Sequence, residues 1–260
     1  MKSKLRFSVL ASGSSGNACY IETDTTSILV DAGLSCRETR KRLDKVGISS
    51  PRLDALIVTH EHSDHIKGAG PVARYFDIPV FINNKTLQKK SLGKLKKPVI
   101  IQTGQTITIN DLTIETFTKC HDAVDPIGLT VSVNGTKLGI VTDLGRVTNL
   151  AKDKLQGCKA LIVEFNHDPK MLDNGPYPWY LKRRIKGPDG HLSNEQGMEL
   201  IRSVYNDGLD HIVLAHLSKE NNQPEIAFSA ATEVIKECRL SSTSVMVSSQ
   251  DKPTPLITLT

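Results

Sequence analysis

Leu5, Phe7 and Val9 alternate with Arg6 and Ser8, the period of a strand with one face in the core. Similar short β-rich runs follow at 18–22 and 27–30, each bounded by Gly, Asn or Asp, so three strands are predicted before residue 31. Ser35-Cys36-Arg37-Glu38 has the form of a capping box and predicts a helix to about Val46, stopped by Gly47. The apolar run 55–59 predicts a buried strand, 66–76 a helix and 80–82 another strand. Strands are expected near 99–103, 106–109 and 112–117, and Asn134-Gly135 joins 129–133 to 137–142 as a type I′ hairpin. The second half continues the alternation: helix 147–155, strand 160–164, helix 194–205, strand 211–215, helix 225–237, then strands 244–247 and 256–259.

Two β-rich blocks that each end in helices, with no linker between them, predict two sheets packed face to face with helices outside, in one domain spanning 1–260. With 38% hydrophobic residues the chain has ample core. It has no apolar span near the roughly 20 residues that cross a bilayer. The start Met1-Lys2-Ser3-Lys4-Leu5-Arg6-Phe7 is basic, but its apolar sequel is too short for a signal peptide, so a cytoplasmic location with no membrane partner is expected. The cysteines, five in number and without a C-x-x-C pair, read as reduced thiols.

A net charge of +5 does not by itself imply nucleic acid, but its distribution adds something. Lys85, Lys89, Lys90, Lys94, Lys96 and Lys97 form one basic run, which a solvated helix face would explain equally well. Lys182, Arg183, Arg184 and Lys186 form another, directly after Tyr177, Trp179 and Tyr180. Cations beside aromatic rings suit a phosphate backbone with unstacked bases, so Trp179, Lys182 and Arg183 are candidate substrate contacts.

The densest chemistry is Thr59-His60-Glu61-His62-Ser63-Asp64-His65, just past the apolar run Ala55-Leu56-Ile57-Val58. The chain has 8 histidines in 260 residues, so three within six positions are poorly explained by chance. Strand alternation lets His60 and His62 face one point while Asp64 and His65 face a second, and imidazole with carboxylate suits zinc and related ions. Further ligands are available where predicted strands end: His121, Asp143 and His216.

The string H-x-H-x-D-H after a hydrophobic strand resembles the signature of the metallo-β-lactamase fold, whose members are hydrolases with one or two metals. That resemblance implies a four-layer αββα sandwich. It also implies that His60, His62 and His121 hold a first metal and that Asp64, His65 and His216 hold a second, bridged by Asp143. Asp31, ending Ile28-Leu29-Val30, would orient ligands from behind by accepting hydrogen bonds. Two divalent ions, zinc first with manganese or iron as alternatives, could clamp a phosphodiester and activate a bridging water whose proton Asp64 takes up.

His191, in Gly190-His191-Leu192-Ser193-Asn194-Glu195-Gln196, precedes a second capping box, and Glu164 could support it as general acid. The order Glu164, His191, His216 is similar to that of the superfamily's transfer-RNA 3′-processing enzymes. The loop Ala11-Ser12-Gly13-Ser14-Ser15-Gly16-Asn17-Ala18 could form an anion nest from its N–H groups and hydroxyls, which nominates Ser12, Ser14, Ser15 and Asn17 for phosphate. His167 is a candidate for lining the same site. Together with Glu164-Phe165-Asn166-His167-Asp168 and Leu214-Ala215-His216-Leu217-Ser218-Lys219-Glu220-Asn221-Asn222, these strings resemble the YycJ/WalJ group of bacterial metallo-β-lactamase-fold proteins. The resemblance implies a DNA exonuclease acting from 5′ ends with a place in mismatch repair, DNA being favoured over RNA. A small-molecule hydrolase acting on a cyclic phosphodiester, thioester or lactone is the alternative, and a non-catalytic metal site is a third.

Overall fold

The structure is a computed structural model that describes residues 3–49 and 51–259, so Met1 and Lys2, on which the N-terminal reading partly rests, lie outside the described residues. Its first sheet contains β1 (Leu5–Ala11), β2 (Ala18–Glu22), β3 (Ser27–Val30), β4 (Ala55–Ile57), β5 (Val80–Asn83) and β6 (Pro98–Ile101). The second contains β7 (Thr106–Ile109), β8 (Leu112–Thr118), β9 (Ile127–Val133), β10 (Thr136–Val141), β11 (Ala160–Glu164), β12 (His211–Ala215) and β13 (Ser244–Val247). The last strand, β14 (Ile257–Leu259), returns to pair with β1, giving sheet orders β14-β1-β2-β3-β4-β5-β6 and β13-β12-β11-β10-β9-β8-β7. Each sheet begins with antiparallel pairs and finishes with parallel ones, from β3 to β6 in the first and from β10 to β13 in the second.

Three apolar clusters separate four layers. Leu5, Phe7, Val9, Ile28 and Val30 of one sheet meet Ile114, Leu129, Val131 and Ile162 of the other in the central cluster. The opposite faces of the same strands, such as Leu29 and Leu56 or Val163 and Leu214, pack under helices. Strands buried on both faces need continuous apolar sequence, which explains why Ile28-Leu29-Val30 does not alternate. The first sheet is covered by α1 (Cys36–Lys45), α2 (Ser63–Ile66), α3 (Ala69–Phe76) and α4 (Asn84–Lys89), and the second mainly by α5 (Asn149–Leu155), α8 (Asn194–Val204) and α9 (Pro224–Glu237). Between them in sequence lie α6 (Pro169–Asn174) and α7 (Trp179–Lys186). The expected αββα sandwich is therefore the fold. Among the described residues no helix is long and apolar enough to cross a membrane.

Local expectations fared unevenly. The hairpin at Asn134-Gly135 forms, with φ of 51° and 86° at the two turn residues. At Ser35 only half of the capping box closes: its side chain accepts the Glu38 N–H, but the Glu38 carboxylate turns to Arg42 Nε at 2.9 Å. The helix expected over 66–76 is broken at Gly68, whose N–H leaves the helical ladder for Ala32 O at 2.7 Å. Its Cα lies so close to the Leu34 carbonyl that a Cβ there would come within 1.8 Å of the oxygen. The helices α4, α6 and α7 were not expected.

Candidate active site

Every nominated ligand sits where a strand delivers its C-terminal end to one edge of the sandwich. Asp31 follows β3, the 59–65 loop follows β4, Asp143 follows β10, Glu164 ends β11 and His216 follows β12, with His121 shortly after β8. Carboxyl ends of parallel strands are the usual place for ligands in open α/β sheets. Three of these residues, Asp31, Asp143 and His216, have left-handed φ of 60°, 55° and 58°. A histidine in that region is uncommon, and backbone held there must be fixed by its surroundings. Here Ser12 Oγ does part of that work by accepting the His216 N–H at 2.7 Å.

The side chains converge into two touching groups, His60, His62 and His121 in one and Asp64, His65, Asp143 and His216 in the other, with ligand atoms within 4.8 Å of one another. Asp143 spans them: Oδ2 lies 3.2 Å from His65 Nε2, and Oδ1 lies 3.4 Å from His216 Nε2 and 3.8 Å from His121 Nε2. An imidazole offers a metal its lone pair only if its other nitrogen carries the proton, and acceptors around the rim impose that tautomer. His62 Nε2 donates to Asp122 O at 3.2 Å, His121 Nδ1 to Gly190 O at 3.1 Å and His216 Nδ1 to Glu164 Oε1 at 3.1 Å. His65 Nδ1 donates to Asp31 Oδ2 at 2.7 Å. The same carboxylate accepts the Thr59 hydroxyl and N–H, both at 2.8 Å, which leaves Thr59 Oγ1 to accept His60 Nδ1–H at 3.0 Å. Asp31 thus sets one histidine of each group.

What remains inside is a ring of lone pairs and carboxylate oxygens. His62 Nδ1 and His121 Nε2 face each other at 3.2 Å although both outer nitrogens already hold the protons. His60 Nε2, His216 Nε2 and Asp143 Oδ2 are buried with no hydrogen-bond partner. Unpartnered buried acceptors at this density are costly unless a cation fills the space between them, so the residues present fit bound divalent metal. Where no cation sits between them, the same carboxylates draw a proton to His216 in its place: burial works against its charge, but Asp143, Asp64 and Glu164 outweigh it and raise its pKa to about 10. Burial instead drives His121 down to about 4 and His60 well below its ordinary value.

Glu164 links this cluster to His191. Its Oε1 accepts His191 Nδ1–H at 2.8 Å as well as His216, and Oε2 accepts the N–H groups of Leu144 at 2.8 Å and Leu192 at 3.1 Å. Burial opposes its charge, yet His191 and His216 hold its pKa down at about 2. The ring of His191 stacks on His216, with centroids 5.0 Å apart and planes 20° apart, and the expected capping box of Ser193 and Gln196 forms in full.

The substrate candidates divide. Ser14 is exposed and borders the cleft with His191 and His216. The backbone of the expected anion nest is largely engaged elsewhere: Gly13 N–H goes to Asn17 Oδ1, Gly16 N–H to Gly13 O, Ser15 N–H to Gln250 Oε1 and Ser12 N–H to Ser249 O. Ser12 supports His216, and the buried Asn17 amide approaches Asp64 Oδ2 at 2.9 Å and His65 Nε2 at 3.0 Å. His167 does not reach the cleft. It is 2% exposed, paired by its backbone with Ser193 and Asn194. Its neighbour Asn166 lines the cleft instead and donates to His216 O at 2.8 Å.

Trp179, Lys182 and Arg183 are likewise not beside the ligands but line a separate cavity with Asp173 and Lys186. Helical periodicity is the reason. Leu181, Arg184 and Ile185 share the inner face of α7 and the outer set lies on the opposite side. Sequence reading passed over Arg184 as one of a run; it holds Asp122 Oδ2 at 2.5 Å across the cleft mouth. Lys89 and Lys90 complete a basic rim opposite, so the first lysine run reaches the site in part.

A sandwich of this build with histidines at its strand ends defines a hydrolase of the metallo-β-lactamase fold, and the model of the Beta-lactamase superfamily domain matches residues 26–234. The chain belongs to this superfamily and, within it, to the family of YycJ and WalJ. It is 40% identical over 237 residues to the exodeoxyribonuclease YycJ of Bacillus anthracis, covering 90% of each chain. With the exodeoxyribonuclease WalJ of Streptococcus pneumoniae it shares 38% over 260 residues, 96% of this chain and 97% of the relative. Among solved structures, YhfI from Bacillus subtilis superposes with a TM-score of 0.75 at 16% identity, covering 96% of this chain and 99% of that one. The short form of human tRNase Z superposes at 0.64 and 14% identity, covering 96% and 98%. At those identities the likeness shows the fold alone.

Proposed function

We propose that the protein is a phosphodiesterase that holds two divalent cations and degrades DNA from its 5′ end. The observation that carries the reading is the Glu164–His191 pair set against a ring of imidazole and carboxylate lone pairs. It agrees with the activity named for YycJ and WalJ. His60, His62 and His121 would hold one cation and Asp64, His65 and His216 the other, with Asp143 shared. Bound there, the cations would neutralise phosphate charge and make a water molecule acidic enough to attack near neutral pH.

The chain's own residues supply the rest. Asp64 borders the cleft and can take up the proton that the attacking water loses. His191 offers Nε2 to the leaving oxygen while Nδ1 stays tied to Glu164. That carboxylate, ionised down to about pH 2, keeps a proton on Nδ1 and fixes the ring with Nε2 free to face the leaving oxygen. Lys89, Lys90 and Arg184 at the rim of an open cleft suit a polyanion better than a small neutral ester. The test is an end-labelled 5′-phosphorylated oligonucleotide incubated with protein loaded with Zn²⁺ or Mn²⁺. Progressive release of label from the 5′ end, lost in His191→Ala, is expected; intact DNA with turnover of a thioester or lactone would reject the reading.

A further inference from the structure

The face of α7 turned away from the ligands has no role in the site so far described. Trp179 and Tyr180 are each 71% exposed, and no residue of this helix is buried. A surface helix ordinarily hides one apolar stripe, so two adjacent rings in solvent call for an occupant. The Arg183 guanidinium lies over the Trp179 ring at 5.4 Å, and the cavity beside it has a volume of about 520 Å³. Three cations line that cavity, Lys182, Arg183 and Lys186, against the single carboxylate of Asp173. Lys182 reaches the Asp173 carbonyl at 2.8 Å and Lys186 pairs with its carboxylate, which leaves positive charge in excess. The inner face of the same helix, through Leu181, Arg184 and Ile185, walls a smaller cavity of about 170 Å³ that opens on His191 and His216.

We infer that α7 divides the two strands of a duplex end: the strand to be cut enters along the inner face, and its complement, unpaired, runs over the outer face with a base stacked on Trp179. The inference rests on the nuclease reading and adds to it a second binding track for single-stranded DNA. Charge and chemistry argue for this occupant. Stacking on exposed rings with cations interleaved is how single strands are held without regard to sequence, and Arg183 over one face of Trp179 leaves the other face for a base. A helix without buried side chains can also shift by small amounts without loss of core, as a divider between strands of varying sequence requires.

Trp179 is the chain's one tryptophan, so its emission reports this face alone. Titration with a hydrolysis-resistant phosphorothioate oligothymidylate is expected to quench that emission saturably, and Arg183→Glu should weaken the binding. Loss of one stacked base corresponds to about 5- to 150-fold, so Trp179→Ala with Arg183→Glu should slow degradation of a blunt 5′-phosphorylated duplex by that order. The same variant should lose less on a single strand, which has no complement to divide off, so the ratio of duplex to single-strand rate should fall, with the melting temperature unchanged because exposed substitutions leave the fold intact. Emission that stays constant while the parent protein cuts both substrates would overturn the second track and leave the nuclease reading standing, as would equal slowing on duplex and single strand. A parent protein that cuts neither would reject the nuclease reading itself.

Discussion

The 59–65 loop and α7 border the same cleft and are built in opposite ways. In the loop, the outer nitrogens of His60, His62 and His65 are fixed by Thr59, the Asp122 carbonyl and Asp31, and the Asp64 carbonyl accepts the Asn17 N–H at 2.7 Å. Gly33 lies so close beneath that a Cβ there would come within 1.7 Å of that carbonyl. By contrast, α7 is held by ion pairs from its last turn, Arg184 with Asp122 and Lys186 with Asp173, and packs no side chain into the core. Ligands that must meet a cation at fixed distances need a supporting layer with one arrangement, whereas a polymer of variable sequence needs charge and flat rings more than geometry. Substitutions in the two regions should therefore fail in different currencies, stability and metal affinity in one and substrate choice in the other.

The largest effect is expected at the cleft itself. His191→Ala should lower the hydrolysis rate by about 10²- to 10⁴-fold while metal content, read by elemental analysis, is unchanged. Asp64→Ala should lose both. Next comes Asp31→Asn, since Asn tolerates the left-handed backbone but presents an N–H₂ where a carboxylate now accepts three hydrogen bonds. Metal affinity in competition with a chelator should weaken by about 10- to 100-fold. Gly33→Ala should cost about 1–3 kcal/mol or more in denaturant unfolding, because a methyl group must displace the loop backbone.

A smaller effect lies in acid. Burial lowers the His167 pKa from 6.5 to about 4, so in that interval the unfolded chain binds the proton that the folded chain refuses. Its contribution is complete above about pH 6.5 and declines as pH falls toward 4, and His167→Asn should flatten the drop in melting temperature over that window. The smallest effect on stability should come from Trp179→Ala, within about 0.5 kcal/mol, even though duplex degradation suffers. A large loss of stability there would erase the contrast between the two regions.

Much of the rigid region was legible in sequence because its chemistry is local and its supports are regular strands. His60, His62, Asp64 and His65 share one loop, and His121, Asp143 and His216 each follow a run whose apolar pattern announces a strand. The second capping box, Ser193 with Gln196, was equally plain. What stayed hidden depends on contacts distant in sequence. Nothing near Gly68 foretells the Leu34 carbonyl that splits α2 from α3, and nothing near Ser12 foretells that its hydroxyl serves the His216 backbone rather than a phosphate. The α6–α7 segment was obscured by Pro169, Pro176 and Pro178 with Gly175, which read as loop although Pro169 starts α6 and Pro178 caps α7. Once α7 is a helix, its rotation decides that Arg184 and not Arg183 faces the ligands.

The central claim is that inward lone pairs on two adjoining groups exist to hold cations that the hydrolysis requires. Anomalous scattering from crystals grown with Mn²⁺, paired with a DNA hydrolysis assay on the same preparation before and after chelation, tests it directly. The account predicts one peak among His60, His62 and His121, a second among Asp64, His65 and His216 with Asp143 between, and activity that vanishes on chelation and returns with Mn²⁺. Density without either peak, or undiminished hydrolysis by protein stripped of metal, would contradict it.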